Sequence, residues 1–400
     1  AAGGSTGEGG HGGGAAGAGG DGGASGCVIR VELGGSEEAG CGDAAAPCGS
    51  ITGALKEAKA GCRVQVAPGT YTAATGQAFP LELLAGIELA GEGASVTVID
   101  DTAGTASKTY PTCHNDMIPV LVSAGTGVHV HSLTVAGRTN SNKAATVLVV
   151  GGDVEIADAV ITGGQDGIFV QAGSAHLHDL EVSGAGHAAI KPAGSATVMV
   201  ERADIHHNKD AVEPICESTV TVSASKIHCN GNGIEALGRA TTTAIDNHVS
   251  HNNIGFVARG GDTSMTLRGN LIEKNKYGVM EIFGQVDLGS SNRLGGNTIT
   301  NNRHVGLYAK GVPKDIYAIG NIWQPDVDGA DGSGKYTGDV FFSAGPSQCP
   351  NVPLAEIDTA WDAACEQGFE MAVTYQNVAI DDGSCQAGSA MAVGRVIVSE

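Results

Sequence analysis

Aromatic residues make up only 4% of this 400-residue chain, with two tryptophans, less aromatic surface than a sugar-stacking cleft usually displays. Cations are also scarce. Twenty-two Lys and Arg stand against 43 Asp and Glu, a formal net charge of −21. Nucleic acids and anionic membranes both need clustered Lys and Arg, so neither is a partner. A polyanionic substrate would need a local basic patch or bound cations. No run of 18 apolar residues exists, so no helix spans a membrane. There is no G-x-S-x-G elbow, no phosphate-binding loop and no dinucleotide fingerprint. No C-x-x-C spacing offers a zinc site.

What the chain has in abundance is repetition, with a period near 22 residues. An apolar position recurs at Val160, Val182, Ile205, Ile227, Val249, Ile272 and Ile299. Three residues after each of the last five stands an asparagine, at 208, 230, 252, 275 and 302. A small residue follows in step at Gly167, Ala188, Ala211, Gly233, Gly255, Gly278 and Gly306. Each unit holds short runs rich in Val, Ile and Thr, separated by Gly, Asn, Asp and Ser. Such runs read as strands and such separators as turns. A unit this small cannot bury its own apolar side and must stack on copies of itself. Three strands per turn make a parallel β-solenoid, an all-β fold. With coils about 4.8 Å apart, some ten to twelve of them give a rod near 50 Å long. The 63 glycines suit tight corners between thin strands.

The phrase I-x-x-N-x-x-G-I in Ile227–Ile234, with variants at Val249–Phe256 and Ile272–Val279, resembles the coil repeat of right-handed parallel β-helix proteins. That group includes pectate lyases, polygalacturonases, alginate epimerases and phage tailspikes. Upstream, PCGSITGALKEAKAGCRVQVAPGTYT (47–72) and FPLELLAGIELAGEG (79–93) are similar to the opening module of uncharacterised bacterial secreted β-helix proteins, some of them lipoproteins. Together the resemblances span about residues 47–320. They imply the fold and a right-handed coil, and say little about chemistry, because one scaffold hosts many functions.

The organisation reads in four parts. Residues 1–26, almost wholly Gly, Ala and Ser, form a flexible tether. Because the chain starts at Ala1, it reads as one trimmed of a leader, and the tether resembles the spacer of a surface lipoprotein whose lipid anchor would precede residue 1. Residues 27–62 lead in, with a helix over 51–60 capped by Ser50 and ended at Gly61, placed as a lid on the open end of the solenoid. The parallel β-helix occupies 63–323, with an excursion over 101–116. From 324 to 400 the period disappears, and this segment reads as the opposite cap. The ten cysteines indicate an oxidising compartment, hence an extracellular or outer-surface location. Five disulfides could pair in on the order of a thousand ways. Cys41 with Cys48 makes a plausible short loop.

The asparagine column reads as a turn ladder, with Asn tolerating left-handed backbone and stacked side chains bonding to one another. A second ladder has chemical potential. Just before the small-residue column stand Asp166, His187, Asp210 and Asn232; Glu213 and Glu235 lie two residues beyond it, and Lys191 three beyond its second member. Asp166, His187, Lys191, Asp210, Glu213 and Glu235 are therefore the candidate catalytic set, a carboxylate cluster with a lysine and a histidine. The resemblance implies that lyases and hydrolases of this fold use such clusters to bind calcium or to move protons. The paired-aspartate and Gly-His-Gly pattern of polygalacturonases is missing, as is the Asp-Pro-His-Glu signature of alginate epimerases. Asp326, Asp328 and Asp331 resemble a calcium loop whose third aspartate is off the EF-hand spacing; beyond that calcium no cofactor is indicated. The regular coils carry few long insertions. The first expectation is therefore a noncatalytic cell-surface or secreted β-helix, structural, adhesive or contacting an extracellular polysaccharide. The alternative is a polysaccharide lyase or glycoside hydrolase using the ladder.

Overall fold

The computed structural model describes residues 27–323 apart from 113–115, 140, 261, 304 and 311–315, together with the strands Val340–Ser343 and Val396–Ile397. Every strand pairing between coils is parallel, and the described strands sort into three sheets of eleven and a two-stranded sheet of Ile316–Tyr317 with Val396–Ile397. We number the sheets by the strand that opens each: Val28–Ser36 for sheet 1, Gly69–Tyr71 for sheet 2 and Leu81–Leu83 for sheet 3. One coil runs through Asp153–Ala157, Val160–Gly163 and Asp166–Val170 before Ser174–His178 returns to sheet 1 one rung along. The protein is a right-handed parallel β-solenoid of about eleven turns.

Sheet 2 explains the period. Val135, Ile161, Val182, Ile205, Ile227, Val249, Ile272 and Ile299 pair rung to rung and all lie within the core. Burying each such side chain contributes about 1.5–3 kcal/mol. The column corrects the sequence reading at one point. Ile161, not Val160, pairs with Val182, while Val160 pairs with Glu181 and points away from the core.

Hydrogen-bonded sheet begins before Arg63, because Val28–Val31 pair with Arg63–Val66 and the Cys27–Cys62 disulfide clamps that pair. The second disulfide joins Cys41 to Cys48, the short loop expected from the sequence. Ser50 caps the helix by accepting from the Gly53 N–H at 3.0 Å, and Ile51 and Ala54 enter the core. The helix stops at Glu57, short of the expected residue 60. Residues 59–62 instead form a tight turn, Cys62 N–H to Lys59 C=O at 2.9 Å, which delivers Cys62 to its disulfide and aims the chain into Arg63–Val66.

The asparagine column is a ladder made by side chains. The Nδ2 groups of Asn208, Asn230, Asn252 and Asn275 each donate to the Oδ1 of the next asparagine at 3.1 Å, and that Oδ1 also accepts a backbone N–H. The left-handed residue at this corner is the one before the asparagine: His207, Cys229, His251, Lys274 and Asn301, with φ between 53° and 56°. The asparagine therefore serves as a buried hydrogen-bond bridge and does not supply the turn geometry. A second ladder, unnoticed in the sequence, stacks Asn247, Asn270, Asn297 and Asn321 at the corner between sheets 1 and 2.

Sheets 1 and 2 alternate buried and exposed residues, as a half-solvated sheet must. Sheet 3 does not. Strands such as Asp166–Val170, Ala188–Pro192 and Asp210–Val212 are buried at every position. On its outer face Met117, Leu148, Phe169, Ala193 and Ile215 form one apolar cluster, and Ile254, Val257, Met280 and Ile282 form another further along the rod. The polar residues that matter lie between them.

Candidate functional site

Sheet 3 places the candidate residues through register. Ile190, Val212 and Ile234 pair in succession and point into the core, so the residues that follow them, Lys191, Glu213 and Glu235, point outward. Phe169 stands opposite Lys191 on one side of this row and Val257 opposite Glu235 on the other. A neighbouring row runs Ala188, Asp210, Asn232. The small-residue column is thus shifted at its second member: Ile168 pairs with Ile190, so Gly167 lies level with Ala189 and not Ala188. His187 accordingly sits one residue outside the row that was to hold it.

The shift does not separate the side chains. His187 Nδ1 lies 3.1 Å from Asp166 Oδ1 and 3.4 Å from Glu213 Oε2, and its Nε2 lies 3.8 Å from Asp210 Oδ2. Lys191 Nζ is 2.7 Å from Glu213 Oε2 and 3.3 Å from His187 Nδ1. Asn232 Nδ2 donates to Asp210 Oδ1 at 2.8 Å and to Glu235 Oε2 at 2.7 Å. All six candidates therefore join one network. Sequence reasoning overlooked Arg259, whose guanidinium lies 3.1 Å from Glu235 Oε1 and closes the network on the far side. Its signal was weak, a single arginine one coil beyond Glu235 in a row where the adjacent coils carry Leu237 and Ile282.

The network is closed on most sides. Asp166, Lys191, Asp210, Glu213 and Glu235 are buried; of the six candidates His187 is the one that reaches solvent, with 19% of its side chain exposed, and Arg259 does so at the far side with 17%. Burial and the nearby charges of Glu235 and Glu213 push the Asp210 carboxyl up to about 7. Burial works against the protonated His187 imidazole, but the hydrogen bond to Asp166 and the Glu213 and Asp210 charges outweigh it, so its pKa is raised. The same balance raises Lys191, where Glu213 and Asp166 overcome burial. Asp210, held near 7, and His187, raised above its ordinary value, are thus two proton carriers in near contact.

His187, Asp210 and Glu213 bring three possible ligand atoms within 4.8 Å of one another. The Lys191 ammonium, however, already lies against Glu213 and His187, where a dication would have to sit. The cluster suits proton transfer better than metal binding. Asp326, Asp328 and Asp331 lie outside the described residues. Of the aromatic residues with faces suited to stacking on a sugar, Phe256 is part of the core and Trp323 packs against it, while Tyr277 and Tyr308 meet edge to face at 6.4 Å. A pocket of about 580 Å³ opens at the corner between sheets 2 and 3, lined by Thr102, Gly137, Arg138, Thr139, Ser141 and Gly184.

Residues 33–327 match the family described as Protein of unknown function (DUF1565). The chain belongs to that family. No curated protein matches it. Among solved structures the DUF1565 chain is similar to the GH136 lacto-N-biosidase from Eubacterium ramulus, at 10% identity over 78% of this chain and 67% of that one, with a TM-score of 0.54. It is also similar to a rhamnogalacturonan lyase, at 14% identity over 71% and 82% with a TM-score of 0.49. The A-module of the Azotobacter vinelandii mannuronan C-5 epimerase AlgE6 gives 15% identity over 77% and 87%, with a TM-score of 0.43. At these identities the likeness is one of fold, the pectin-lyase-like β-helix that the DUF1565 coils share. No helix among the described residues is long and apolar enough to cross a membrane.

Proposed function

We propose that this protein works outside the cell on a polysaccharide, and that the sheet 3 network is an acid–base site in which His187 exchanges protons with the sugar and the buried Asp210 exchanges them with His187. The observation that carries the reading is the buried Asp210 carboxyl, held near neutrality and 3.8 Å from His187. A carboxyl tuned to about 7 beside an imidazole can give and take a proton in the same turnover. Lys191 and Asn232 position the pair: Lys191 anchors Glu213 against His187, and Asn232 holds one Asp210 oxygen. His187 is the member that meets the substrate. The Cys27–Cys62 and Cys41–Cys48 disulfides support an oxidising, extracellular setting, and a lipid anchor upstream of Ala1 would fix the protein to the cell surface. The lacto-N-biosidase, a glycan-cleaving relative in fold, lends support to a carbohydrate partner.

The test is a panel of neutral and uronic-acid polysaccharides assayed for new reducing ends and unsaturated products. On the substrate that responds, Asp210→Asn and His187→Gln should each lower turnover by about 10²–10⁴-fold with the fold retained. A second reading, a noncatalytic surface β-helix that only contacts glycan or a cell-surface component, is favoured by how deeply Lys191 and Asp210 are buried. It predicts binding without turnover that survives both substitutions, and that outcome would end the acid–base reading.

A further inference from the structure

Sheet 1, on another side of the rod, carries its own row of histidines and carboxylates. Glu88, His129, Glu155 and His176 stand on successive rungs of one outward row, and His131 and His178 stand on the next. Neighbouring rungs are about 4.8 Å apart, so their side chains meet. Glu155 Oε1 lies 2.9 Å from His178 Nε2, and Glu155 Oε2 lies 2.9 Å from His129 Nδ1. The His176 and His178 ring centroids lie 4.5 Å apart, with the rings tilted by 39°. One ligand atom each from Glu155, His176 and His178 falls within 4.8 Å of the other two.

We propose that Glu155, His176 and His178 form a binding site for one divalent transition-metal ion of the zinc class, with water in the remaining position. The donor set argues the chemistry. Two imidazole nitrogens and one carboxylate oxygen match zinc and its neighbours, whereas calcium and magnesium take oxygen shells. In a tetrahedral zinc site the ligand atoms stand about 3.3 Å apart, so the Glu155–His178 pair, at 2.9 Å, opens slightly and the other separations, none above 4.8 Å, close by about 1.5 Å at most. Side chains on a solvated face can make that adjustment.

Independent support lies behind the ligands. His178 Nδ1 lies 2.7 Å from Asp179 Oδ2, and Asp179 is gripped by both the Nε and Nη2 of Arg202 at 2.8 Å. A carboxylate that takes the Nδ1 proton fixes the tautomer and turns the Nε2 lone pair toward Glu155, the arrangement that orients metal-bound histidines. Without an ion, a protonated His178 donates from both ring nitrogens, to Asp179 and to Glu155; a metal ion would take the place of the Nε2 proton beside Glu155 Oε1. His129 holds the second Glu155 oxygen. Access is open, since 43% of the His176 side chain is exposed. The ligands come from Asp153–Ala157 and Ser174–His178, so the ion would tie one coil to the next.

The purified full chain, stripped with EDTA and returned to buffer, is titrated with ZnCl₂ by calorimetry, and the zinc-loaded protein is examined by X-ray absorption. One ion should bind at this site with a Kd below about 10 µM, with two imidazoles in a shell at about 2.0–2.1 Å. His178→Ala and His176→Ala should each weaken it at least tenfold, and Asp179→Asn by about tenfold or more. These positions are partly exposed, and circular dichroism would establish that the variants fold. His187→Gln in the sheet 3 network should leave this binding unchanged. The proposal is overturned if the folded protein takes no zinc, if binding persists in both histidine variants, or if His187→Gln abolishes it.

Discussion

Glu281 occupies a place where its neighbours along the rod are alanines. It pairs with Ala258 on one side and Ala309 on the other, both core residues, and only 2% of it is exposed. One carboxyl oxygen accepts the Val286 backbone N–H, and Oε2 has no hydrogen-bond partner among the described residues. Burial pushes this carboxyl up to about 8, so it stays protonated at neutral pH. The unfolded chain releases the same proton near 4.5. Between those values the folded state holds more protons, so this group's contribution to stability falls as pH rises, by about 1.4 kcal/mol per pH unit at most. Glu281→Gln keeps the shape and the Val286 hydrogen bond but removes the proton. Thermal midpoints from pH 5 to 9 should show the variant gaining on the wild type as pH rises and leading it at pH 9; parallel curves would show that burial does not tune this residue.

The corners are the elements that set the register, and the asparagine ladders hold two of them. Asn252 is fully buried; its Nδ2 donates to Ile227 C=O, Ser250 C=O and Asn275 Oδ1, while its own Oδ1 accepts from both the backbone and the side chain of Asn230. Asn252→Ala leaves several buried polar groups unpaired, so urea denaturation should show a loss of about 2–4 kcal/mol. Surface substitutions such as Thr221→Ala should cost less than about 0.5 kcal/mol. The fold was legible because these rows repeat: one apolar residue and one asparagine per coil announce stacked layers before any coordinates. Register was legible only to within one residue. The shift at Ala188 hides between steps of 21 and 23 that a single-column count treats as harmless insertions. The second ladder escaped notice because Asn247, Asn270, Asn297 and Asn321 begin late and are spaced 23, 27 and 24 apart. The six residues of the sheet 3 network were legible as neighbours, since residues in step on successive coils must touch. Their burial was not, because alternation along a strand says which side a residue takes and nothing about whether that side meets water. The sheet 1 row escaped for a related reason: His129, Glu155, His176 and His178 lie in the strands of another sheet, outside the columns by which the period is read.

On the scale of the whole rod, stability is a sum of coils and of contacts between adjacent coils, so a local change should stay local. The first coil is a stringent case. Val28–Ser36 has a sheet neighbour on one side only, Arg63–Val66, and the Cys27–Cys62 disulfide closes the 35-residue separation between them. Linking a loop of that length lowers the entropy of the unfolded chain by an amount worth about 3–4 kcal/mol. In a globular domain with one cooperative core that loss would be felt everywhere. Here the edge strand can fray while Ile227–Ile272 keep all their neighbours. In the double variant Cys27→Ser with Cys62→Ser, hydrogen exchange should quicken at the amides of Val28–Val31, with little change in the strands Lys226–His228, Asn232–Leu237 and Thr241–Ile245. Uniform acceleration along the rod would mean that the coils unfold as one unit, and that the nearest-neighbour view of this solenoid is wrong.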